Sequence, residues 1–273
     1  MANNQVRPIA VVTAGGTREP IDEVRHLANL ATGALPSAVA EQLLARGWQV
    51  EYICGPGATQ PGVQRVELNV RAVDWRARLA EIELRANDLH TKLRPGLLHV
   101  HAIETAAEMA ATLAEVCLQA QPTVVVCAAA VADFAPSPQV GKLSSRQGPD
   151  GVAAPMTLQL LPTAKAIDGV KLASPKARLL GFKLLAGATE AELVAAATLL
   201  ANRAHADLVY ANDVRTYKAG ERTGLLLGPQ GSVLARLDGG NGPHALRRLA
   251  ESLVQALVAG LEPNTDSTPT VSP

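Results

Sequence analysis

The residues best placed by type and spacing to do chemistry sit where apolar runs stop. "PIAVVTA" halts at Gly15 and Gly16, and the polar stretch "TREPIDEVRHLANLATG" follows. A glycine pair lets backbone N–H groups approach an anion closely, and it equally makes a tight strand-to-loop turn. Thr17 opens the polar stretch. Thr32 and Gly33 close it where a helix-like pattern begins, and exposed N–H groups there favour phosphate or carboxylate. Between them, Asn29 can both donate and accept, as a residue gripping a carboxylate or an acyl phosphate must.

Two further runs end the same way. "TVVVCAAAVADF" ends at Asp133, suited to a metal or a ribose and equally to capping a turn. Lys142 follows in the polar loop "QVGKLSSR", which can fold over the site and bring a cation to a phosphate; the alternative is a solvated surface lysine. "DLVYANDV" ends at Asn212 and Asp213, which can bind or can turn the chain. Other chemistries lack their patterns. A nicotinamide site needs GxGxxG after the first strand and an acid near the end of the second; here "AGGTRE" and Ile53-Cys54-Gly55 stand instead. His26, His101 and His205 lack metal-ligand spacing, so no side-chain metal site is expected. No GxSxG elbow occurs.

Strand and helix patterns alternate around these residues. Strands are expected at "PIAVVTA", "WQVEYIC", "VQRVELNV", "LLHVHAI", "TVVVCAAAVADF", "MTLQLLPT", "RLLGFKLL" and "DLVYANDV". Helices are expected at "LPSAVAEQLLARG", "WRARLAEIELRANDLHTKL", "ETAAEMAATLAEVCLQA" with Thr105 as its cap, "TEAELVAAATLLANRAHA" and "PHALRRLAESLVQALVAGL". "GLLLGPQGSVLARL" reads as a hairpin turning near Pro229 and Gly231. The alternation argues for an α/β fold, a Rossmann-like, mostly parallel sheet with helices on both faces. Ligands of such sheets bind beyond the carboxyl ends of the strands, where the runs named above end. One domain is expected over residues 1–262, with an inserted helical segment at about 71–96. Residues 263–273, rich in Pro, Ser and Thr, are expected to be disordered.

Lys and Arg (25) balance Asp and Glu (25), which argues against a nucleic-acid footprint of clustered positive charge. A small anion needs only a local positive site. Cys54, Cys117 and Cys127 lie in apolar stretches without a CxxC pair and are expected as buried, reduced thiols. No signal-peptide pattern and no bilayer-length apolar run is present, so a cytoplasmic protein without a membrane partner is expected.

Taken in order, "VTAGGTREPIDEVRHLANLATG", "AAAVADFAP", "GKLSS", "GFKLLAGATEAEL" and "ADLVYANDV" resemble the phosphopantothenate–cysteine ligase family, from about Arg7 to Val214. The resemblance implies a reaction in which the carboxylate of 4′-phosphopantothenate attacks the α-phosphate of CTP or ATP, with magnesium. Cysteine then captures the acyl-nucleotide, a step of coenzyme A biosynthesis. It implies that Asn29 handles the acyl group and that Asp133 contacts the nucleotide. Lys142 matches the first lysine of the nucleotide loop, and Phe182 matches an aromatic at the base. Gly15, Gly16 and Ala129 match backbone around the phosphates, and Asn212 matches the "AND" asparagine. The long polar stretch would then hold the phosphopantothenate.

The chain departs from the fused bacterial pattern. Ala31-Thr32-Gly33-Ala34 replaces "SSGK", Lys142-Leu143-Ser144-Ser145 replaces a lysine-rich loop, and Gly181-Phe182-Lys183 replaces "GFA". The last two look like stand-alone ligases, so Lys183 is expected either to supply missing positive charge to the nucleotide or to pair with Glu190 or Glu192. The resemblance further implies a monofunctional chain and a homodimer. Two other readings stay open: a nucleotide-binding paralogue without catalysis, raised by Ala34 and the single loop lysine, and a nicotinamide-dependent oxidoreductase.

Overall fold

The computed structural model describes residues 7–63, 69–92, 96–144, 151–153, 155–218, 220–242 and 244–261. The first half contains β1 (Ile9–Ala14), β2 (Arg18–Pro20), β3 (His26–Ala28), α1 (Ala34–Ala45) and β4 (Gln49–Cys54). It continues with α2 (Trp75–Lys92), β5 (Leu98–Ala102), α3 (Ala106–Ala120) and β6 (Val124–Cys127). Then come β7 (Phe134–Pro136), β8 (Leu160–Pro162), a 3-10 turn (Ala166–Gly169), α4 (Val170–Ala173) and β9 (Arg178–Leu185). The chain closes with α5 (Glu190–Ala204), β10 (Leu208–Asp213), α6 (Val214–Lys218), β11 (Thr223–Leu227), β12 (Val233–Asp238) and α7 (Ala245–Val258). Most of the expected strand "VQRVELNV" and the C-terminal tail lie outside the described residues.

The main sheet has the order β12-β11-β10-β9-β6-β1-β4-β5. All pairs from β5 to β10 are parallel, and β11 and β12 add antiparallel. Chain order reverses between β1 and β6, which makes that junction the switch point of a doubly wound sheet. Alternation along each strand divides the core in two. Ala10, Val12, Leu180 and Tyr210 face α1 and α7, whereas Val11, Val125, Leu179 and Val209 face α3 and α5. Helices therefore cover both faces, as expected.

The helix ends follow their sequence signals. Thr105 caps α3 by accepting from Glu108 N at 3.2 Å. Thr189 and Glu192 form a reciprocal capping box at α5. Two expectations need correction. "TVVVCAAAVADF" is a strand only to Cys127, because its valines suit a pleated sheet and its three alanines do not hold it there. "MTLQLLPT" joins the sheet nowhere; Leu160–Pro162 pairs with Phe134–Pro136 in a separate hairpin.

At the β5 edge, Glu51 is 7% exposed. It accepts from Gln49 at 2.9 Å and meets His99 Nδ1 at 2.8 Å and His101 Nε2 at 2.7 Å. Burial pushes its carboxyl up, but the hydrogen bonds from His101, Gln49 and His99 outweigh burial and leave the pKa lowered. A lowered folded-state pKa stabilises the fold above the unfolded value, about 4.3 for glutamate, and the contribution fades as pH falls through the folded value. Glu51→Gln is therefore expected to melt below the wild type at pH 7, with the gap narrowing under pH 4. Thermal melts across that range check it, and a gap that widens in acid would contradict it.

Candidate functional site

The site is built where β1 and β6 end side by side. Thr13, 2% exposed on the last turn of β1, offers its Oγ1 to the N–H groups of Ala128 and Ala129, both at 3.1 Å. Ala130 N then donates to Gly15 O at 2.8 Å, and Thr17 N donates to Ala130 O at 3.3 Å. Ala132 N donates to Thr17 Oγ1 at 3.0 Å. The segment after β6 thus leaves the ladder early and is stitched, bond by bond, along the loop after β1.

Gly15 and Gly16 make this approach possible in a way different from an open anion cradle. Gly15 has φ +75°, and a Cβ there would lie 2.6 Å from Ala58 Cβ. A Cβ on Gly16 would lie 2.4 Å from Asn29 O. Both are buried, as is Thr17. The glycine pair brings backbone against backbone, and Asn29 is carried to the junction, where its Nδ2 donates to Ala130 O at 3.1 Å.

The polar stretch is less a ligand loop than expected. Glu19, 3% exposed in β2, accepts from Ala106 N at 2.9 Å and so ties the β2–β3 hairpin to the start of α3. Asp22, 4% exposed, accepts from Val24 N, Arg25 N, Leu143 N and the Arg25 guanidinium. Burial alone would raise the Asp22 carboxyl, yet these bonds hold it at about 2. Through them, and through Gly141 N to Glu23 Oε1 at 3.1 Å, the Lys142 segment is strapped across the hairpin's turn. Lys142 itself is exposed and does not line the cavity described next. It is held beside the hairpin instead of swinging freely after Asp133.

Beyond the junction, on the α3 and α5 side, opens a cavity of about 370 Å³, within the range of small-molecule sites. Of the expected residues it gathers Ala129, Asp133, Phe182 and Lys183. Three contributors were not among the expected site residues: Thr13, Lys165 and Arg203. Lys165 forms an ion pair with Asp133, and Thr163 N donates to Asp133 O at 3.0 Å, so "LPTAK" frames this aspartate. Half-buried Cys127 also lines the cavity, while Cys54 and Cys117 are buried; all three thiols are free, with pKa values raised by burial.

Sheet register separates the remaining residues. Phe182 pairs with Tyr210, their rings 5.4 Å apart edge to face, and Asn212 lies two residues beyond Tyr210 on the same face. That face is the one covered by α1. Lys183 shares the opposite face with Gly181, whose missing Cβ would touch Ile167 and Leu200. Glu190 pairs with Arg236 and Glu192 with Thr189, so neither expected acid partners Lys183. Asn212 and Asp213 line a second cavity of about 630 Å³ with Arg215 and Arg236. Asp213 serves as a turn residue, accepting from Ala188 N and Arg215 N, each at 2.6 Å.

Thr32 and Gly33 stand at the N-terminus of α1, as expected. Gly33 is left-handed there, at φ 70°, and no side chain caps the helix. Ala34 N donates to Thr32 Oγ1 at 3.4 Å, and Pro36 has no N–H, so the first turn offers a ligand little beyond the N–H of Leu35.

Thr13→Val removes the acceptor of two backbone N–H groups at the junction. A loss of about 1–3 kcal/mol is expected from those unsatisfied groups, with Thr13→Ser close to wild type. Urea unfolding of the three proteins measures it; a stable valine variant would show that the hydroxyl does not hold the junction.

Known proteins resemble the chain throughout. A family model described as the DNA/pantothenate metabolism flavoprotein C-terminal domain matches residues 7–75 and 70–227. A coenzyme A biosynthesis bifunctional protein CoaBC of Thermococcus kodakarensis is 32% identical over 219 residues, 80% of this chain and 44% of that protein. The CoaBC of Mycobacterium tuberculosis strain H37Rv is 29% identical over 258 residues, 90% of this chain and 52% of that protein. The chain spans about half the length of the curated relatives it matches. Among solved structures, the DNA/pantothenate metabolism flavoprotein from Streptococcus pneumoniae superposes with a TM-score of 0.67 at 23% identity, covering 93% of this chain and 99% of that one. A Cab2 mutant in complex with phosphopantothenate-cysteine gives 0.71 at 22% identity, covering 92% and 88%. At these identities the superpositions show the fold.

Proposed function

This chain belongs to the family of DNA/pantothenate metabolism flavoprotein C-terminal domains, and on that premise we propose that it joins 4′-phosphopantothenate to cysteine at the expense of CTP or ATP. The observation that carries the reading is the junction itself. Asn29, from the polar stretch after β1, is fixed on Ala130, whose neighbour Ala129 lines a cavity together with Asp133. An acyl transfer between two substrates needs such a polar anchor, held rigidly between two binding faces.

In this reading the nucleotide lies in the cavity, over Ala129, Asp133 and Phe182, with Gly15 and Gly16 shaping the backbone beside it. The acid lies toward the polar stretch that ends at Thr32 and Gly33. A carboxylate oxygen attacks the α-phosphorus and pyrophosphate leaves; the amine of cysteine then attacks the acyl carbon and the nucleoside monophosphate leaves with its oxygen. Asn29 spends one N–H on Ala130 and keeps its other N–H and Oδ1 for the acyl group. Lys142, strapped near Asn29's hairpin, offers its exposed ammonium to the phosphates. Magnesium enters with the triphosphate, since this ion is commonly held by substrate phosphates plus one or two carboxylates. Asp133 is the carboxylate of the cavity lining that suits it, once released from Lys165.

A second copy of the chain is the proposed partner. Phe134 and Leu160 share one face of the β7–β8 hairpin, are 51% and 42% exposed, and offer an apolar surface for it. Among the described residues no helix is long and apolar enough to cross a membrane. The second reading, a nucleotide binder without turnover, is favoured by Pro36 and Ala34 at the α1 N-terminus. Pyrophosphate release on mixing the protein with 4′-phosphopantothenate, cysteine, magnesium and each nucleotide separates the two.

Asn29→Asp is expected to bind nucleotide but to release pyrophosphate about a hundredfold more slowly. The new charge repels the substrate carboxylate, and an amide donor is lost. Wild-type turnover would remove Asn29 from the acyl group. Lys142→Gln is expected to leave the melting temperature unchanged, because the side chain is exposed, while slowing nucleotidyl transfer by a similar factor. If the melting temperature collapses and the folded fraction turns over normally, Lys142 acts on the fold.

A further inference from the structure

The segment that carries Lys142 is pinned on both sides of that residue. Gln139 N donates to Ile21 O at 3.0 Å, and Glu23 N donates to Gly141 O at 3.4 Å. Gly141 N donates to Glu23 Oε1 at 3.1 Å. Leu143 N donates to Asp22 Oδ2 at 3.1 Å, and Leu143 O accepts from the Arg25 guanidinium at 3.1 Å. None of these bonds involves Lys142, whose side chain is exposed. The turn between β2 and β3 therefore fixes the backbone around this lysine and leaves its ammonium to something else.

Asp22 divides its work between two oxygens. Oδ1 accepts from Val24 N at 2.9 Å and from Arg25 N at 2.8 Å, which shapes the turn itself. Oδ2 accepts from Leu143 N and from the Arg25 guanidinium, which holds the neighbouring segment. The Asp22 side chain is fully buried, so water cannot replace either set of donors. Asn29 follows directly after β3. One hairpin thus carries the residue assigned to the acyl group and grips the segment of the residue assigned to the phosphates.

We propose, resting on the ligase reading, that Asp22 is a positioning residue of the reaction: it acts by holding Lys142 where the nucleotide phosphates arrive. The carboxylate allows a selective cut. Asparagine keeps one carbonyl oxygen for Val24 N and Arg25 N, and so keeps the turn. Its amide group then faces Leu143 N and the Arg25 guanidinium, donor against donor. Asp22→Asn releases the Lys142 segment and leaves Asn29 in place.

The test is a double-mutant cycle on the wild type, Asp22→Asn, Lys142→Gln and the two combined. Two quantities are measured: pyrophosphate release with nucleotide, magnesium, 4′-phosphopantothenate and cysteine, and hydrogen exchange of the backbone amides at 139–143. Asp22→Asn is expected to slow release at saturating substrates by about tenfold or more, the scale of a misplaced group, with the Michaelis constant for cysteine level. The combined variant is expected to be no slower than Lys142→Gln alone. Exchange at 139–143 is expected to rise in Asp22→Asn while that of β1 stays level. Losses that multiply in the combined variant show that Asp22 acts otherwise than through Lys142, and they overturn the inference. So does a wild-type rate in Asp22→Asn, or exchange at 139–143 that matches the wild type. Should Asp22→Asn fail to fold, Glu23→Ala, at an exposed position, cuts the adjacent bond to Gly141 N and takes its place in the cycle under the same rules. A wild type that releases no pyrophosphate sinks the ligase reading. The cycle is then read on nucleotide affinity by calorimetry, where non-additive losses support the positioning role and additive losses overturn it. A wild type that binds no nucleotide overturns both.

Discussion

Two threonine hydroxyls hold the working end of this molecule. Where β6 stops, five successive residues present backbone N–H and C=O groups to a crowded, half-buried junction, where such groups need partners. Thr13 Oγ1 takes two of those N–H groups and Thr17 Oγ1 takes another, while Gly15 O takes the one between. With that satisfied, Ala130 O is fixed and can receive Asn29, and Asp133 is delivered to the rim of the cavity. Remove the stitching and the segment has no reason to lie across β1, so both halves of the site lose their positions together.

The same constraint explains the small residues. Four backbone segments, at Gly15-Gly16, Asn29, Gly33 and Gly55, pass one another at distances where any Cβ would intrude: a Cβ on Gly55 would sit 2.1 Å from Gly16 O. The alanines after Cys127 belong to this economy of space. Polar side chains of the stretch after β1 are likewise turned inward. Glu19 ends on the first N–H of α3, where the helix dipole also favours a negative charge, and Asp22 gathers the turn that Lys142 crosses. The stretch reads as a ligand loop, yet much of its polarity is architecture that aims the few groups left over.

How much of this the residues disclose depends on range. Helix caps are local, so Thr105 and the Thr189–Glu192 box could be read directly, and the strands were recognisable from their apolar runs. The doubly wound arrangement followed from the alternation of the two. The end of β6 was not legible, because it is decided by the hydroxyl of Thr13, 115 residues away in sequence from Ala128. Lys165 was missed for a related reason: a lysine between two alanines carries no motif, and only the β7–β8 hairpin brings it onto Asp133. The two faces of β9 were foreseeable from strand alternation, but that α1 covers one and α3 with α5 the other is decided by packing between elements distant in sequence.

That division of faces bears on how a chain of zero formal net charge would, in the proposed reaction, receive two anionic substrates. The charges are not spread but sorted. On the α1 side the attraction is dipolar, from the N-terminus of a twelve-residue helix, where Thr32 Oγ1 takes the N–H of Ala34 and Pro36 has none to offer. On the α5 side the attraction is ionic, from Lys165, Lys183 and Arg203, of which Lys165 is paired with Asp133 and Arg203 with Asp168. Asn29 stands between them, uncharged. In the proposed reaction a neutral amide at that point would repel neither ligand, and it could donate to one oxygen while accepting from another as charge moves from carboxylate to phosphate. An acid or a base in its place would favour one substrate over its partner, and that reaction needs both at once.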